Sequence, residues 1–193
     1  VYPYPHVDEL LPLMAEGHIL PYLDVPLQHA SPRILKLMRR PANVDNTLER
    51  IRRWRQAVPG LVLRSTFITG FPGETDAEFD ALVKFVQDQR FDRIGAFTFS
   101  YEPGTESAQY GDPIAEDVKQ ARREQLMEAQ QRISLEKNQA QVGRVLDVLV
   151  EGENDGISVG RSYRDAPEVD GLVIIEKHEL PDRLFGLPFG ADV

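Results

Sequence analysis

The alternation of β-type runs with helical patterns constrains the fold of this chain more than any other feature. Residues 61–69 are rich in branched and aromatic side chains, and a glycine loop follows at 70–73. Thr75 then starts a helix, with Glu78 three residues later in the spacing of a capping box. A second β-type run covers 93–101. This spacing predicts parallel βα units, either a piece of a β/α barrel or an open doubly wound sheet.

The N-terminal third of the sequence predicts further βα units. Residues 22–26 are a short buried-strand candidate, and Ser31-Pro32 is typical of a helix start, with a serine cap and proline at the first helical position. Pro41 is expected to end that helix. Apolar residues at spacings of three and four predict helices over 6–16 and over about 45–57.

Both candidate architectures place their chemistry at the carboxyl ends of the strands. Three polar loops are expected at that edge: Gln28-His29, residues 70–74 and Tyr101-Glu102. Two glycines there allow a ligand close to the backbone, and the capped helix presents free amide groups. An ordinary strand-to-helix turn, with Glu74 structuring it, explains the same residues.

The other polar candidates also have two interpretations. Gln28 and His29 can form hydrogen bonds with a ligand, as donors and as acceptors. Alternatively, they only stabilise a turn. Arg64 and the pair Arg39-Arg40 can hold a carboxylate with two parallel hydrogen bonds, whereas an arginine pair at a helix end is more often solvated. No Ser-His-Asp, HExxH, P-loop or GxGxxG pattern is present.

A long polar helix is predicted over 115–142, with a thin apolar stripe that begins at Leu126. The residue pattern changes after this helix. Alternating residues and an Asn154-Asp155-Gly156 turn signal predict a small all-β module over 143–193. Residues 144–193 hold five basic and eleven acidic residues, a net charge of −6 out of the chain's −9. The negative charge is therefore concentrated in the last quarter of the chain.

Composition excludes several classes of protein. There is no cysteine among the 193 residues, so no thiol nucleophile, disulfide, cysteine zinc site or self-contained iron–sulfur cluster is expected. No apolar run approaches the roughly 18 residues of a membrane span, and no basic-then-apolar leader opens the chain. A cytoplasmic protein with no membrane partner is expected.

Several separated motifs resemble the radical S-adenosylmethionine methylthiotransferases: residues 22–41, 70–75 and 100–105. Within that family the chain resembles the branch that modifies an aspartate of a ribosomal protein. The tRNA branch usually carries Ser-Gly-Ser-Asp where this chain has His29-Ala30-Ser31-Pro32. Residues 1–6 and 160–171 also resemble the ribosomal-protein branch.

The resemblance implies a fold class. The family has an N-terminal domain, a radical S-adenosylmethionine barrel related to the TIM barrel, and a C-terminal TRAM β-barrel of OB-like form. Residues 1–142 correspond to the C-terminal half of the barrel and 143–193 to the TRAM module. The tail 176–193 does not align with the family's usual strands, so the small barrel is expected to be incomplete or divergent.

The resemblance also implies a chemistry. The family inserts a methylthio group at the β-carbon of the target aspartate, using S-adenosylmethionine and two four-iron four-sulfur clusters. The cluster cysteines lie upstream of the third barrel strand, so this chain is expected to bind no cluster and to be inactive alone, with no catalytic or metal-ligating residue of its own. The cofactor-binding positions carried over from the family are Gln28, His29, Arg64, Thr66, Ile68, Gly70, Glu74, Phe99 and Tyr101.

The expected partner is a basic ribosomal protein of the small subunit, because an acidic module attracts it and repels nucleic acid. Two alternatives remain open: a tRNA methylthiotransferase of the same family, and a non-catalytic interaction module on the same scaffold. A CxxxCxxC run upstream of Val1 would favour an enzyme over the interaction module.

Overall fold

The computed structural model describes residues 5–41 and 44–176. The chain divides into two compact units, 1–142 and 143–193.

The first unit confirms the predicted order of strands and helices. Its described elements are a 3-10 helix Pro5–Glu9, α1 Leu10–Ala15, β1 Tyr22–Asp24, α2 Pro32–Leu37, α3 Val44–Ala57, β2 Val62–Thr69, α4 Asp76–Gln89, β3 Arg93–Thr98, a 3-10 helix Glu106–Tyr110 and α5 Glu116–Gln139.

The three strands of this unit form one parallel sheet in the order β1-β2-β3. Side chains alternate between its two faces, as they must in pleated strands. One face is buried, with Leu63, Ser65 and Phe67 almost fully covered. The other, which we call the open face, carries the alternate residues Asp24, Arg64, Thr66, Ile68, Arg93, Gly95 and Phe97.

The buried face forms the core of the unit with the surrounding helices. Phe67 packs edge-on against Phe85 of α4 and Phe91, with ring centroids 6.2 and 5.8 Å apart. Leu126 and Ile133 of α5 belong to the same cluster. Burying each of these large apolar side chains contributes roughly 2 kcal/mol, which fixes the sheet against α4 and α5.

The predicted helix caps are confirmed. The Ser31 hydroxyl accepts a hydrogen bond from the Ile34 amide at 3.3 Å, with proline at the first helical position. Thr75 and Glu78 form the reciprocal capping box of α4. Both caps lie where a strand end turns into a helix, so they fix the loops at the carboxyl edge of the sheet.

Several predicted boundaries differ from the structure. β1 ends at Asp24 rather than at 26, and the helix predicted over 6–16 is a 3-10 helix followed by α1. β3 ends at Thr98, short of the predicted 101, although the Phe99 amide still donates to Thr69 O at 2.9 Å. α2 ends at Leu37, because Arg39 adopts a left-handed backbone with φ 54°. α5 covers Glu116–Gln139 rather than 115–142.

The second unit contains β4 Val148–Asn154, β5 Ile157–Ser162 and β6 Val173–Glu176, paired antiparallel in that order. The predicted turn joins β4 to β5, with left-handed φ values at Asp155 and Gly156 that suit a two-residue hairpin. The prediction about the tail falls mainly on residues 177–193, outside the described part. Over the part of the chain that is described, no helix is long and apolar enough to cross a membrane.

Candidate functional site

A cavity of about 540 Å³ opens at the carboxyl ends of β2 and β3, where the sequence predicts a ligand site. Its size lies within the roughly 300–1,000 Å³ of small-molecule sites. Apolar side chains, including Ile68, Phe71 and Phe99, form much of the wall. Gln28 and Thr66 supply polar groups. The mixture suits a ligand with a flat apolar part and several hydrogen-bonding groups.

Gln28 enters the cavity from a constrained backbone. Its φ is 71°, a left-handed value that costs a non-glycine residue on the order of 1 kcal/mol. Two bonds to β2 hold it there: its amide donates to Thr66 O, and its carbonyl accepts from the Ile68 amide, both at 2.8 Å. The loop after β1 is therefore attached to β2 beside the cavity.

The apolar wall is a cluster of aromatic rings. Phe71 lies edge-on to Phe99 at 5.2 Å and to Tyr110 at 6.1 Å between centroids. Ile34 of α2 is completely buried behind them. Because three separate segments of the chain contribute to this cluster, the wall has a defined shape that one turn alone would not provide.

Glu74 closes the glycine loop from behind. Its fully buried carboxylate accepts from the Gly70 amide at 3.1 Å and from Arg122 Nη1 at 2.7 Å. The third partner is His29 Nε2 at 3.0 Å. The carboxylate thus joins the ends of β1 and β2 to helix α5.

The tautomer of His29 follows from its other nitrogen. The Ser31 amide donates to Nδ1 at 2.9 Å, which places the ring proton on Nε2, facing Glu74. Neither His29 nor Glu74 is among the residues that line the cavity. Their buried contacts support the loops around it.

Gly70 is required by its surroundings. Its φ is +72°, and a Cβ on it would lie 2.4 Å from Cγ of Lys119. The Lys119 ammonium continues past the glycine to Phe99 O at 3.1 Å and to Asp112 at 2.6 Å. Burial favours a lower pKa for Lys119, but hydrogen bonds to Asp112 and Glu116 outweigh it and raise that pKa.

Arg64 lies on the open face, one strand away from its partner Asp24. Its Nη1 is 2.8 Å from Asp24 Oδ2 and 3.5 Å from the Thr66 hydroxyl, and Thr66 lines the cavity. Tyr101, the last of the predicted site residues, is 44% exposed and does not line the cavity.

The structure therefore separates the nine predicted positions into groups. Gln28, Thr66, Ile68 and Phe99 line the cavity. His29, Gly70 and Glu74 lie together behind it, and Arg64 adjoins it through Thr66. Contact of any of the nine with a cofactor stays a prediction.

Sequence reasoning missed Arg122 and Lys119, which are 8% and 2% exposed. The predicted stripe of α5 began at Leu126, because only apolar residues were counted. Extending the same spacing backwards by four and three residues reaches Arg122 and Lys119, so helical periodicity carried the signal.

The described residues contain no group of three histidine, aspartate or glutamate side chains placed to hold a metal ion. The chain also has no cysteine, so its side chains do not fit a cysteine-bound iron–sulfur cluster. The cavity, with aromatic wall and amide and hydroxyl groups, does fit a nucleoside-type ligand such as S-adenosylmethionine.

Comparison with known proteins agrees with this fold. Residues 2–86 match the model of the radical SAM superfamily, and residues 142–186 match that of the TRAM domain. The coproporphyrinogen III oxidase HemN of Escherichia coli, described as a radical SAM enzyme, superposes with a TM-score of 0.52 at 16% identity. That match covers 72% of this chain and 30% of HemN, and it concerns the fold alone.

Curated relatives are much closer in sequence. The ribosomal protein uS12 methylthiotransferase RimO of Thermus thermophilus is 56% identical over 177 residues, which are 91% of this chain and 41% of the relative. RimO of Aromatoleum aromaticum is 58% identical over 175 residues, which are 91% of this chain and 40% of the relative. The chain spans about two fifths of the length of these relatives.

The fold and the two family models define a radical SAM protein that carries a TRAM domain. Within this class, the chain belongs to the RimO family of methylthiotransferases. The predicted fold class and family resemblance are both confirmed.

Proposed function

We propose that this chain forms part of a RimO-type methylthiotransferase, and that it supplies one wall of the cofactor site together with a TRAM module that engages the target. The parent reaction replaces one hydrogen on the β-carbon of an aspartate with a methylthio group. The observation that carries the proposal is the cavity at the strand ends, which lies beside the family-like motif of residues 70–75. A ribosomal-protein target implies a cytoplasmic location.

The first part of the proposal concerns S-adenosylmethionine, which supplies radical chemistry and a methyl group when bound. Gln28 and Thr66 would hydrogen-bond its polar groups, while Ile68 and Phe99 would pack against its adenine. Iron–sulfur clusters belong to the rest of the parent. The cysteine-free segment alone is proposed to be inactive.

The second part of the proposal is that buried contacts hold the loops around the cavity in position. Glu74 holds the Gly70 amide and His29 together, so the loops after β1 and β2 keep one geometry. Lys119 packs over Gly70 and binds Phe99 O, which fixes the end of β3. These contacts preorganise the cavity, so little ordering remains when a ligand binds.

The third part concerns the target. The names of the relatives identify the ribosomal protein uS12 as their substrate. The chain carries a net charge of −9, concentrated in the TRAM module, which favours a basic protein surface and disfavours tRNA phosphates. We infer that the acidic module steers uS12 to the cavity.

Equilibrium binding of the full chain to uS12 and to tRNA, measured over a series of salt concentrations, tests the proposal. We expect uS12 to bind more tightly than tRNA, and its affinity to fall as salt rises. Tighter binding to tRNA with a steep salt dependence would contradict the ribosomal-protein target.

A charge-matched pair of variants locates the docking surface. Glu153→Gln combined with Glu168→Gln removes two exposed carboxylates from the second unit. Asp80→Asn combined with Glu124→Gln removes two exposed carboxylates from the first unit. We expect only the first pair to weaken uS12 binding, by about three- to tenfold at low salt. An equal effect of both pairs would show that uS12 binding depends on the net charge of the chain and not on a docking surface of the second unit.

A further inference from the structure

We propose that Glu106 makes the cavity selective against nucleoside phosphates, because it neutralises Arg39 at the open rim of the cavity. The inference rests on the proposed function, since it concerns which adenosine-type ligand the same cavity admits. Glu106 acts here as a specificity residue that withholds a cation from the wrong ligand.

Arg39 and Glu106 bring two separate segments of the chain together at the rim. Arg39 follows α2, and Glu106 begins the 3-10 helix after β3. Both residues line the cavity, and their side chains are 67% and 63% exposed, so they lie where the cavity opens to solvent. Nη1 of Arg39 donates to Oε1 of Glu106, although 67 residues separate the two along the chain. The charge of this arginine is therefore met by a carboxylate before any ligand arrives.

The backbone at Arg39 fixes where its side chain leaves the end of α2. Its φ is 54°, and the amides of Arg39 and Arg40 donate to Lys36 O at 3.0 Å and Leu35 O at 2.8 Å. This is the Schellman pattern of a helix end, in which glycine is the usual residue at the left-handed position. Glycine fits the same backbone, so Arg39→Gly removes the side chain without disturbing the end of the helix.

The position of this ion pair suits selectivity better than stability. An exposed pair adds little to stability, because solvent screens both charges. At the rim, however, both charges act on what enters the cavity. Adenosine-type ligands differ in charge beyond the ribose: S-adenosylmethionine carries a net positive charge, whereas nucleoside phosphates are strongly negative.

An arginine without its carboxylate would favour the phosphates. A guanidinium binds a phosphate with parallel N–H donors, and such charge-assisted bonds are strong. With Glu106 in place, a phosphate must displace the carboxylate from Arg39 and also approach a like charge. Arg40 lines the cavity as well, but it has an interaction of its own within the chain. The paired rim thus disfavours phosphates without disfavouring neutral or cationic ligands.

A matched ion pair elsewhere in the first unit provides the control. Arg90 also has a left-handed backbone, with φ 48°, at the end of α4, and its Nη2 lies 2.6 Å from Oε2 of Glu136 on α5. Neither Arg90 nor Glu136 is among the residues that line the cavity. Glu136→Gln therefore releases an arginine and changes the net charge exactly as much as Glu106→Gln does, but not at the cavity.

The test is a binding titration of the full 193-residue chain with 5′-deoxyadenosine, AMP and S-adenosylmethionine, followed by saturation-transfer NMR, which detects weak binding. 5′-Deoxyadenosine and AMP share adenine and ribose, so the ratio of their affinities isolates the phosphate. Wild type should bind AMP the most weakly of the three. Glu106→Gln should raise the affinity for AMP relative to 5′-deoxyadenosine by about three- to tenfold, whereas Glu136→Gln should leave that ratio unchanged.

Arg39→Gly identifies the cation that the phosphate reaches. Combined with Glu106→Gln, it should return the ratio to the wild-type value, because the released guanidinium is then absent. Added salt should also shrink the gain of the single variant. Thermal unfolding of each variant checks the fold, and because both side chains are exposed, the Tm should stay close to that of wild type.

Three results would overturn the assignment. An unchanged ratio in Glu106→Gln, with 5′-deoxyadenosine still bound, removes the selectivity role and leaves the proposed function in place. An equal rise in Glu136→Gln attributes the effect to net charge. A rise that persists after Arg39→Gly transfers the phosphate to another cation. A chain that binds none of the three ligands, as wild type or as Glu106→Gln, overturns the cofactor part of the proposed function as well, and so separates the two failures.

Discussion

Nε2 of His29 lies 3.0 Å from Oε2 of Glu74, and both side chains are fully buried. Forty-five residues separate the two along the chain, so this contact joins the loop after β1 to the loop after β2. The Glu74 carboxylate also receives Arg122 from α5. Because several hydrogen-bond donors hold the Glu74 carboxylate, its role is to support the cavity.

Glu74→Gln should destabilise the first unit severely. The amide cannot accept from His29, Arg122 and the Gly70 amide together, and it leaves the Arg122 cation with less compensation in a buried place. We expect a loss of about 3 kcal/mol in the free energy of unfolding, measured with denaturant. Glu128→Gln, which breaks the exposed pair with Arg132, should cost under about 0.5 kcal/mol.

Glu78 makes the stability of the α4 start depend on pH. The hydrogen bond from Arg33 at 2.9 Å lowers its pKa most, burial opposes this, and bonds from Ser31 and Thr75 lower it further, to about 2. A carboxyl with a folded pKa below the ordinary 4.5 stabilises the fold above pH 4.5 and loses that contribution as the pH falls towards 2.

The corresponding prediction uses Glu78→Gln, which has no charge to titrate. Between about pH 5 and 2, wild type should lose about 2 kcal/mol more stability than the variant, as measured by denaturant unfolding at each pH. Parallel pH profiles for the two proteins would show that this carboxyl does not carry the acid sensitivity.

Gly70→Ala should be far more harmful than an alanine at another left-handed glycine. The new Cβ would lie 2.4 Å from Lys119 Cγ, in addition to the strain of φ +72°. At Gly104 the φ is +83°, but nothing lies within 4 Å. Thermal unfolding should show a loss of about 3 kcal/mol for Gly70→Ala and about 1 kcal/mol for Gly104→Ala. Equal losses would mean that the Lys119 packing is not rigid.

The chain alone should not cleave S-adenosylmethionine. Without cysteine it cannot anchor a reducing cluster in the way the family does. Chromatography should detect no 5′-deoxyadenosine after incubation with iron, sulfide and a strong reductant. Full-length RimO of Thermus thermophilus under the same conditions is the positive control, and product from the chain itself would refute the expectation.

Local patterns predicted the parallel sheet and the cavity edge well. The capping box at Thr75 and the serine cap at Ser31 depend on residues three apart, so a single stretch of sequence contains the whole signal. The glycine loop at 70–73 was placed correctly at a strand end for the same reason. The carboxyl ends of neighbouring parallel strands share one edge, which predicted that the Gln28-His29 loop and the 70–74 loop would lie together.

The pairing of side chains that lie far apart in the sequence could not be predicted. The roles of His29 and Glu74 depend on Arg122, which is 48 residues from Glu74 and lies in a mostly polar helix. Helical spacing from Leu126 reaches Arg122, but it does not identify the carboxylate with which this buried arginine pairs. The burial of Lys119 against Gly70 depends in the same way on three-dimensional contacts that spacing alone does not define.

The most direct test of the central claim is a chimera in which residues 1–176 replace the aligned segment of Thermus thermophilus RimO. After reconstitution of its clusters, the chimera is incubated with S-adenosylmethionine, a sulfur source, a reductant and an equimolar mixture of uS12 and tRNA. Mass spectrometry should find one methylthio group in place of a hydrogen on a uS12 aspartate, and none on tRNA. Methylthiolated tRNA, or cleavage of S-adenosylmethionine with unmodified uS12, would contradict the account.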